Sequence, residues 1–218
     1  SVFCAKSYCT LNIGLNLTVF QCYIISMIND KFTSKPIDNL LTEIKCGRAL
    51  EAAPNWKFDP NQCESIDIKI ARDGTWFHEG QPIKRKKMCQ LFSRVLRRSD
   101  DGRFFLITPV EQFQIFVEDA PFTAVELSVQ STGDQQTLIF RTNLDQTIVA
   151  GPNHPIRIVQ DPINGEPKPY IVVRDKLEAL ILRPQFYQLV EMAEEKKMRG
   201  KTVLGVWSAT KYFELGEV

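Results

Sequence analysis

The dipeptide Arg-Asp ends two strand-like runs of this sequence, and the same order of predicted elements follows each copy. The first copy is Arg72-Asp73, after the alternating run of residues 66–70, and the second is Arg174-Asp175. A return strand, a proline, an amphipathic segment and two further strands come next in both cases. This recurrence predicts two related subdomains, although they share little side-chain identity beyond Arg-Asp.

The predicted fold class is α+β, with two related subdomains at residues 27–128 and 129–218. Each is expected to contain a mainly antiparallel sheet and one amphipathic helix. The Asp73-Gly74 step predicts a tight hairpin turn, because both residues tolerate a positive φ. The clearest helix is predicted from apolar residues at helical spacing: Met88, Leu91, Phe92, Val95 and Leu96.

Residues 1–26 differ from the rest of the chain, with one charge, Lys6, and a largely apolar run. We expect them to be an extension from an upstream start that does not belong to the functional fold. A signal or membrane anchor is the first alternative and a packed segment the second. We expect a cytoplasmic protein, because the six cysteines are scattered and form no Cys-x-x-Cys pair.

The charge balance limits the partners, since 27 basic and 26 acidic residues give a net charge of +1. This balance argues against a general nucleic-acid binder, and no membrane partner is expected unless residues 1–26 are an anchor. The basic run from Lys84 to Arg98 is predicted to form one face of the helix. A solvated face is the ordinary interpretation. The alternatives are a surface that binds an acidic protein or a phosphorylated ligand and, after these, RNA.

The Arg-Asp pairs could form a duplicated ligand clamp, because a guanidinium binds carboxylate or phosphate with two hydrogen bonds. The alternative is that Asp73 forms a turn and Arg72 pairs across strands. Trp76 could line a cleft between the subdomains, or pack in the core. The candidate ligand-binding residues are Arg72, Asp73, Trp76, His78, Arg85, Thr108, Glu111, Glu118, Asp119, His154 and Arg174.

The set with acid–base potential is His78, Glu118, Asp119 and His154, and it requires residues distant in sequence to converge. The sequence contains neither a recognisable nucleophile system nor a phosphate-binding glycine pattern, and we expect no metal or cofactor. The expected function is a regulatory module, not an enzyme, that binds a small anionic metabolite or a partner protein. A hydrolase-type enzyme using these four residues and a protein-interaction scaffold are the alternatives.

Residues 37–215 resemble the bacterial domain of unknown function 1285 family. The resemblance rests on the segments RDGTWFHEGQPI (72–83), LFSRVLRR (91–98), DGRFFLITPVE (101–111), VEDAPF (117–122), GPNHP (151–155), PY (169–170), LEA (177–179), RP (183–184) and GVWS (205–208). It implies an α+β fold with repeated motifs, a proteobacterial source and a proposed role in signal transduction, with no established reaction. Residues 1–26 lie outside it.

Overall fold

The computed structural model describes residues 59–217 except 61–62, 108–111, 132–134, 163–164 and 199. The chain divides into two units, Ser1–Arg48 and Ala49–Val218, and all of the described residues belong to the second. The predicted extension of residues 1–26 lies outside the described residues. The candidate residues Thr108 and Glu111 lie outside them as well.

The first sheet consists of two antiparallel meanders of three strands each. Its strands are β1 (Glu64–Ile70), β2 (Trp76–His78), β3 (Gln81–Pro82), β4 (Leu96–Arg98), β5 (Phe104–Ile107) and β6 (Gln112–Val117). Helix α1 (Lys86–Val95) connects β3 to β4. The strand order is β3-β2-β1-β6-β5-β4, so the parallel pair of β1 and β6 joins the two meanders.

The second sheet has the same topology. Its strands are β7 (Phe122–Gln130), β8 (Thr137–Thr142), β9 (Thr147–Val149), β10 (Ile156–Gln160), β11 (Pro167–Arg174) and β12 (Leu177–Ile181). The strand order is β10-β11-β12-β7-β8-β9, with β7 and β12 as the parallel pair. A third, antiparallel sheet follows helix α2 (Arg183–Glu191) and contains β13 (Glu194–Met198), β14 (Lys201–Ser208) and β15 (Lys211–Glu217).

The described residues therefore form an α+β structure in which most strand pairs are antiparallel, as predicted. Arg72 follows the first strand of its sheet, whereas Arg174 ends the fifth strand of the other, so the two Arg-Asp turns occupy different positions. The relationship of the two predicted subdomains stays a prediction, and their predicted boundary after residue 128 falls within β7. Within the described residues, neither helix is long and apolar enough to span a membrane.

The core of the first sheet forms because alternate residues of β1 point to one face. Ile66, Ile68 and Ile70 are buried there, and each such side chain contributes about 1.5–3 kcal/mol by leaving water. Helix α1 covers the sheet with its apolar stripe. The ring of Phe92 from this stripe lies 6.1 Å from that of Trp76, which is also buried.

The basic segment from Lys84 to Arg98 is not a single helical face, and this prediction was wrong. Helix α1 ends at Val95, and Leu96 takes an extended conformation because it begins strand β4 and pairs with Leu106 of β5. Burial of Leu96 in the sheet overrides the helical pattern of the local sequence. Arg97 and Arg98 are consecutive strand residues, whose side chains point to opposite faces.

Candidate functional site

The first Arg-Asp pair lies in the turn between β1 and β2. The Thr75 amide donates a hydrogen bond to Asp73 Oδ1 at 2.9 Å, and Gly74 has a φ of +84°. The Asp73 carboxylate therefore stabilises the turn itself, which is the structural alternative that the sequence left open.

The Arg72 side chain is exposed and points towards the segment after β6. Its Nε lies 3.6 Å from Asp119 Oδ2, and its backbone amide donates to Glu118 Oε2 at 2.9 Å. Lys69 Nζ lies 2.5 Å from Glu118 Oε1, and these contacts, with Lys69 the largest, hold the pKa of Glu118 below its usual value. The structure thus brings together three of the predicted site residues, Arg72, Glu118 and Asp119.

Asp119 also connects the first sheet to the second. Its Oδ1 accepts a hydrogen bond of 2.7 Å from the hydroxyl of Tyr170 on β11, and the Asp119 side chain is only 10% exposed. Burial and this hydrogen bond raise the pKa of Tyr170 above its ordinary value. The Arg157 guanidinium lies 4.8 Å from the centre of the Tyr170 ring, so the phenol is held at both its hydroxyl and its face.

The second Arg-Asp pair has different surroundings. Arg174 donates through Nη2 to the carbonyl of Ser93 in the last turn of α1, and through Nη1 to Gln146 Oε1 at 3.4 Å. A cation at this end of a helix is favourable, because the last carbonyl groups carry partial negative charge. Burial lowers the pKa of Arg174 to about 10, and the nearby guanidiniums of Arg97 and Arg94 add to that shift. Arg72 and Arg174 therefore do not form equivalent clamps.

A pocket of about 320 Å³ lies between the turn that follows β4 and the strands β10 to β12. Its lining residues are Arg98, Ser99, Asp100, Gly102, Arg157, Val172, Lys176 and Glu178. One wall comes from the first sheet and the other from the second, with Lys176 in the turn of the second Arg-Asp pair. None of the predicted site residues that the structure describes lines this pocket. Arg174 lies two residues before Lys176, and Arg72 is connected to the lining residue Arg157 through Asp119 and Tyr170.

Cations outnumber carboxylates in the pocket. Glu178 is only 12% exposed and receives two hydrogen bonds from Arg157, one of them 2.7 Å long from Nη2 to Oε2. Arg98 Nη1 lies 3.5 Å from both Glu178 Oε2 and the carbonyl of Lys176, at the outer limit of a hydrogen bond. Lys176 forms an ion pair with Asp100. Among the described lining residues, three cations therefore face two carboxylates, and each carboxylate is already paired: Glu178 with Arg157 and Asp100 with Lys176.

Neither predicted histidine is among the lining residues, although His154 contacts one of them, Val172. His154 Nδ1 lies 3.0 Å from the backbone carbonyl of Val172, and His78 is on β2, where its backbone pairs with Ile68 and Gln81. In the part of the chain that the structure describes, no three His, Cys, Asp or Glu residues come together in a way that could hold a metal ion. The predicted acid–base set of His78, Glu118, Asp119 and His154 gains no structural support.

The two remaining candidates that the structure describes are Trp76 and Arg85. Trp76 is buried in the core beneath α1, the alternative to a place in a cleft. Arg85 precedes the first turn of α1, where its carbonyl accepts a hydrogen bond of 2.9 Å from the Met88 amide. Sequence reasoning missed Arg98, Arg157, Lys176 and Glu178 as a group, because charged residues at strand ends are ordinary solvent-facing positions.

Two family models match consecutive parts of the chain. One, described as "Domain of unknown function (DUF1285), N-terminal domain", matches residues 53–120, and the other, "Protein of unknown function (DUF1285), C-terminal domain", matches residues 121–215. The chain belongs to the DUF1285 family. The resemblance found in the sequence is therefore confirmed.

One solved structure agrees with this assignment. A DUF1285 family protein from Silicibacter pomeroyi DSS-3 is 42% identical, with a TM-score of 0.70 over 82% of this chain and 95% of that one. A second, from Shewanella baltica OS155, is 25% identical with a TM-score of 0.46, over 57% of this chain and 91% of that one. No curated protein matches the chain.

Proposed function

We propose that this DUF1285 protein is a regulatory binding module, and that a small anionic ligand occupies the pocket between the β4–β5 turn and strands β10 to β12. The observation that carries the proposal is the convergence of Arg98, Arg157 and Lys176 on one pocket. Two of these cations come from the second sheet and one from the first. Because the whole chain has a net charge of only +1, a local cluster is what would attract an anion.

The size of the pocket limits the ligand. A volume of about 320 Å³ is at the lower end of small-molecule sites, which measure roughly 300–1,000 Å³. The half-buried side chain of Val172 supplies an apolar contact, and the guanidinium and ammonium groups supply the charge. We therefore propose a small metabolite with a carboxylate or phosphate group, in preference to a nucleotide or a peptide.

The test compares binding to the wild-type chain and to Arg98→Met. Methionine retains a long apolar stem over Phe104, which the Arg98 guanidinium covers at 5.4 Å, but cannot bind an anion. A set of small carboxylates and phosphates is screened by thermal shift, and any ligand found is titrated by calorimetry. Loss of one charged hydrogen-bond donor weakens binding about 10- to 100-fold, since such bonds contribute about 1.5–3 kcal/mol.

The matched control is Arg183→Met. Arg183 is exposed on α2, pairs with Glu166 at 2.7 Å and does not line the pocket, so this variant removes the same charge elsewhere. Rising ionic strength is expected to weaken binding to the wild-type chain. A ligand that binds Arg98→Met as tightly as the wild type would refute the proposed site. A stable protein complex with no bound small anion would favour the scaffold alternative.

A further inference from the structure

The ion pair between Lys176 and Asp100 joins residues of the two walls of the pocket, and both side chains are exposed to solvent. We infer that the Asp100 carboxylate occupies the anion position in the free protein, and that the oxyanion group of the ligand takes its place. This inference rests on the proposed function, because it concerns the same pocket. It makes Asp100 an internal competitor of the ligand.

Asp100 and Asp101 have different surroundings in the same turn. Asp101 accepts hydrogen bonds from the hydroxyl of Ser99, from the Arg103 amide at 3.1 Å and from Arg103 Nε at 2.7 Å. The side chain of Asp100 is 92% exposed and pairs with Lys176. The fold of the turn therefore depends on Asp101, whereas the Asp100 carboxylate can leave without disturbing it.

The position that Asp100 would leave lies beside a second cation. Arg98 Nη1 is 3.5 Å from the backbone carbonyl of Lys176, so the guanidinium lies at the base of the turn that carries the ammonium group. Both contacts of Arg98 within the pocket are long, so it can turn towards a stronger acceptor. A carboxylate or phosphate between Lys176 and Arg98 would gain two charged contacts where Asp100 now has one.

The same geometry narrows the class of ligand. The pair of Glu178 and Arg157 is less exposed than the pair of Asp100 and Lys176, so we expect it to stay in place. Its carboxylate would repel a second negative group on the ligand. The ligand we infer has one compact oxyanion group and a small uncharged body that lies against Val172.

The decisive experiment measures the affinity of Asp100→Asn for acetate and for inorganic phosphate, by calorimetry at low ionic strength on the full chain. The amide keeps the size of the carboxylate but removes the competing charge. Binding is expected to be about two- to fivefold tighter than in the wild type, the range that corresponds to releasing one exposed ion pair. Preference for acetate or for phosphate would show whether the natural group is a carboxylate or a phosphate.

The matched control is Asp145→Asn. Asp145 pairs with Lys86 at 2.7 Å, is half-exposed and does not line the pocket, so the variant gives the same change in net charge. Its affinities are expected to equal those of the wild type. Binding that appears in Asp100→Asn but not in the wild type would also support the inference.

Three results would overturn this inference. If Arg98→Met abolishes binding while Asp100→Asn binds no more tightly than the wild type, the pocket binds anions but Asp100 does not compete, and the proposed function stands. If neither ion binds to the wild type or to Asp100→Asn, the inference fails as well. Equal strengthening in Asp145→Asn would assign the effect to net charge and would also refute the competition.

Discussion

Replacement of Tyr170 by Phe tests the contact between the two six-stranded sheets. The substitution removes one hydroxyl, whose hydrogen bond to Asp119 Oδ1 is 2.7 Å long, and leaves the buried ring in place. The other oxygen of Asp119 accepts no hydrogen bond within the described residues, and the nearest cation, Arg72 Nε, is 3.6 Å from it. A nearly buried carboxylate would therefore lose its main donor.

The expected loss of unfolding free energy is about 1.5–3 kcal/mol, the contribution of a hydrogen bond to a charged group. In a chain of this size each kcal/mol corresponds to about 2–4 °C, so the melting temperature should fall by about 3–12 °C. Urea unfolding at neutral pH, followed by tryptophan fluorescence, measures the loss. The slope of the unfolding free energy against urea concentration should stay unchanged, because the surface area exposed on unfolding is the same.

Tyr187→Phe is the control, since Tyr187 undergoes the same chemical change on the surface of α2, where it is 58% exposed. It is expected to change the stability by less than about 0.5 kcal/mol. If Tyr170→Phe were no more destabilising than Tyr187→Phe, the contact with Asp119 would not contribute to the stability of the fold.

Two further substitutions test the turns beside the candidate site. Gly74→Ala should lower the free energy of unfolding in urea by about 2–4 kcal/mol, because φ is +84° and the new Cβ would lie 2.4 Å from Asn143 Nδ2. Gly80→Ala is its control: φ is +74° but the space around the new Cβ is open, so only the smaller cost of the backbone conformation is expected. Asp101→Asn should destabilise the protein at pH 7 and much less near pH 2. Hydrogen bonds from Arg103 and Ser99 hold the pKa of the Asp101 carboxyl far below its usual range. The stabilisation from the carboxylate is therefore fully present above about pH 4 and is lost as the pH falls and the carboxylate is protonated. An equal effect at both pH values would contradict this assignment.

Local patterns were sufficient to predict several elements. The alternation of Ile66, Ile68 and Ile70 matches strand β1, Asp73-Gly74 lies in the predicted turn, and the apolar stripe matches α1 as far as Val95. Strand β7 was missed although its apolar residues Val125, Leu127 and Val129 alternate with polar ones, the period expected of a strand. The alternation does not extend to the first three residues, Phe122 to Ala124, which are all buried. Strand β13 was missed because its five residues are all exposed.

The candidate site was predictable only in part. Arg72, Glu118 and Asp119 were candidates by residue type, and the structure brings them together because β1 and β6 end side by side. The cations of the pocket were not predictable, since their convergence depends on the contact between the β4–β5 turn and the β11–β12 turn. The two turns are far apart in the sequence, so no local sequence pattern indicates that they come together.

The central parallel pairs have a consequence for the order of folding. In the second sheet, Phe122 at the start of β7 pairs with Ala179 in β12, so the first and last strands of the sheet lie next to each other. Contacts between residues so far apart in sequence form slowly, because a long loop must close first. During synthesis, β7 can pair with β8 as soon as the hairpin emerges, but its other edge stays open until β12 has left the ribosome. The last strand of the sheet, β12, therefore completes the sheet by pairing with the edge of β7 that is exposed until then.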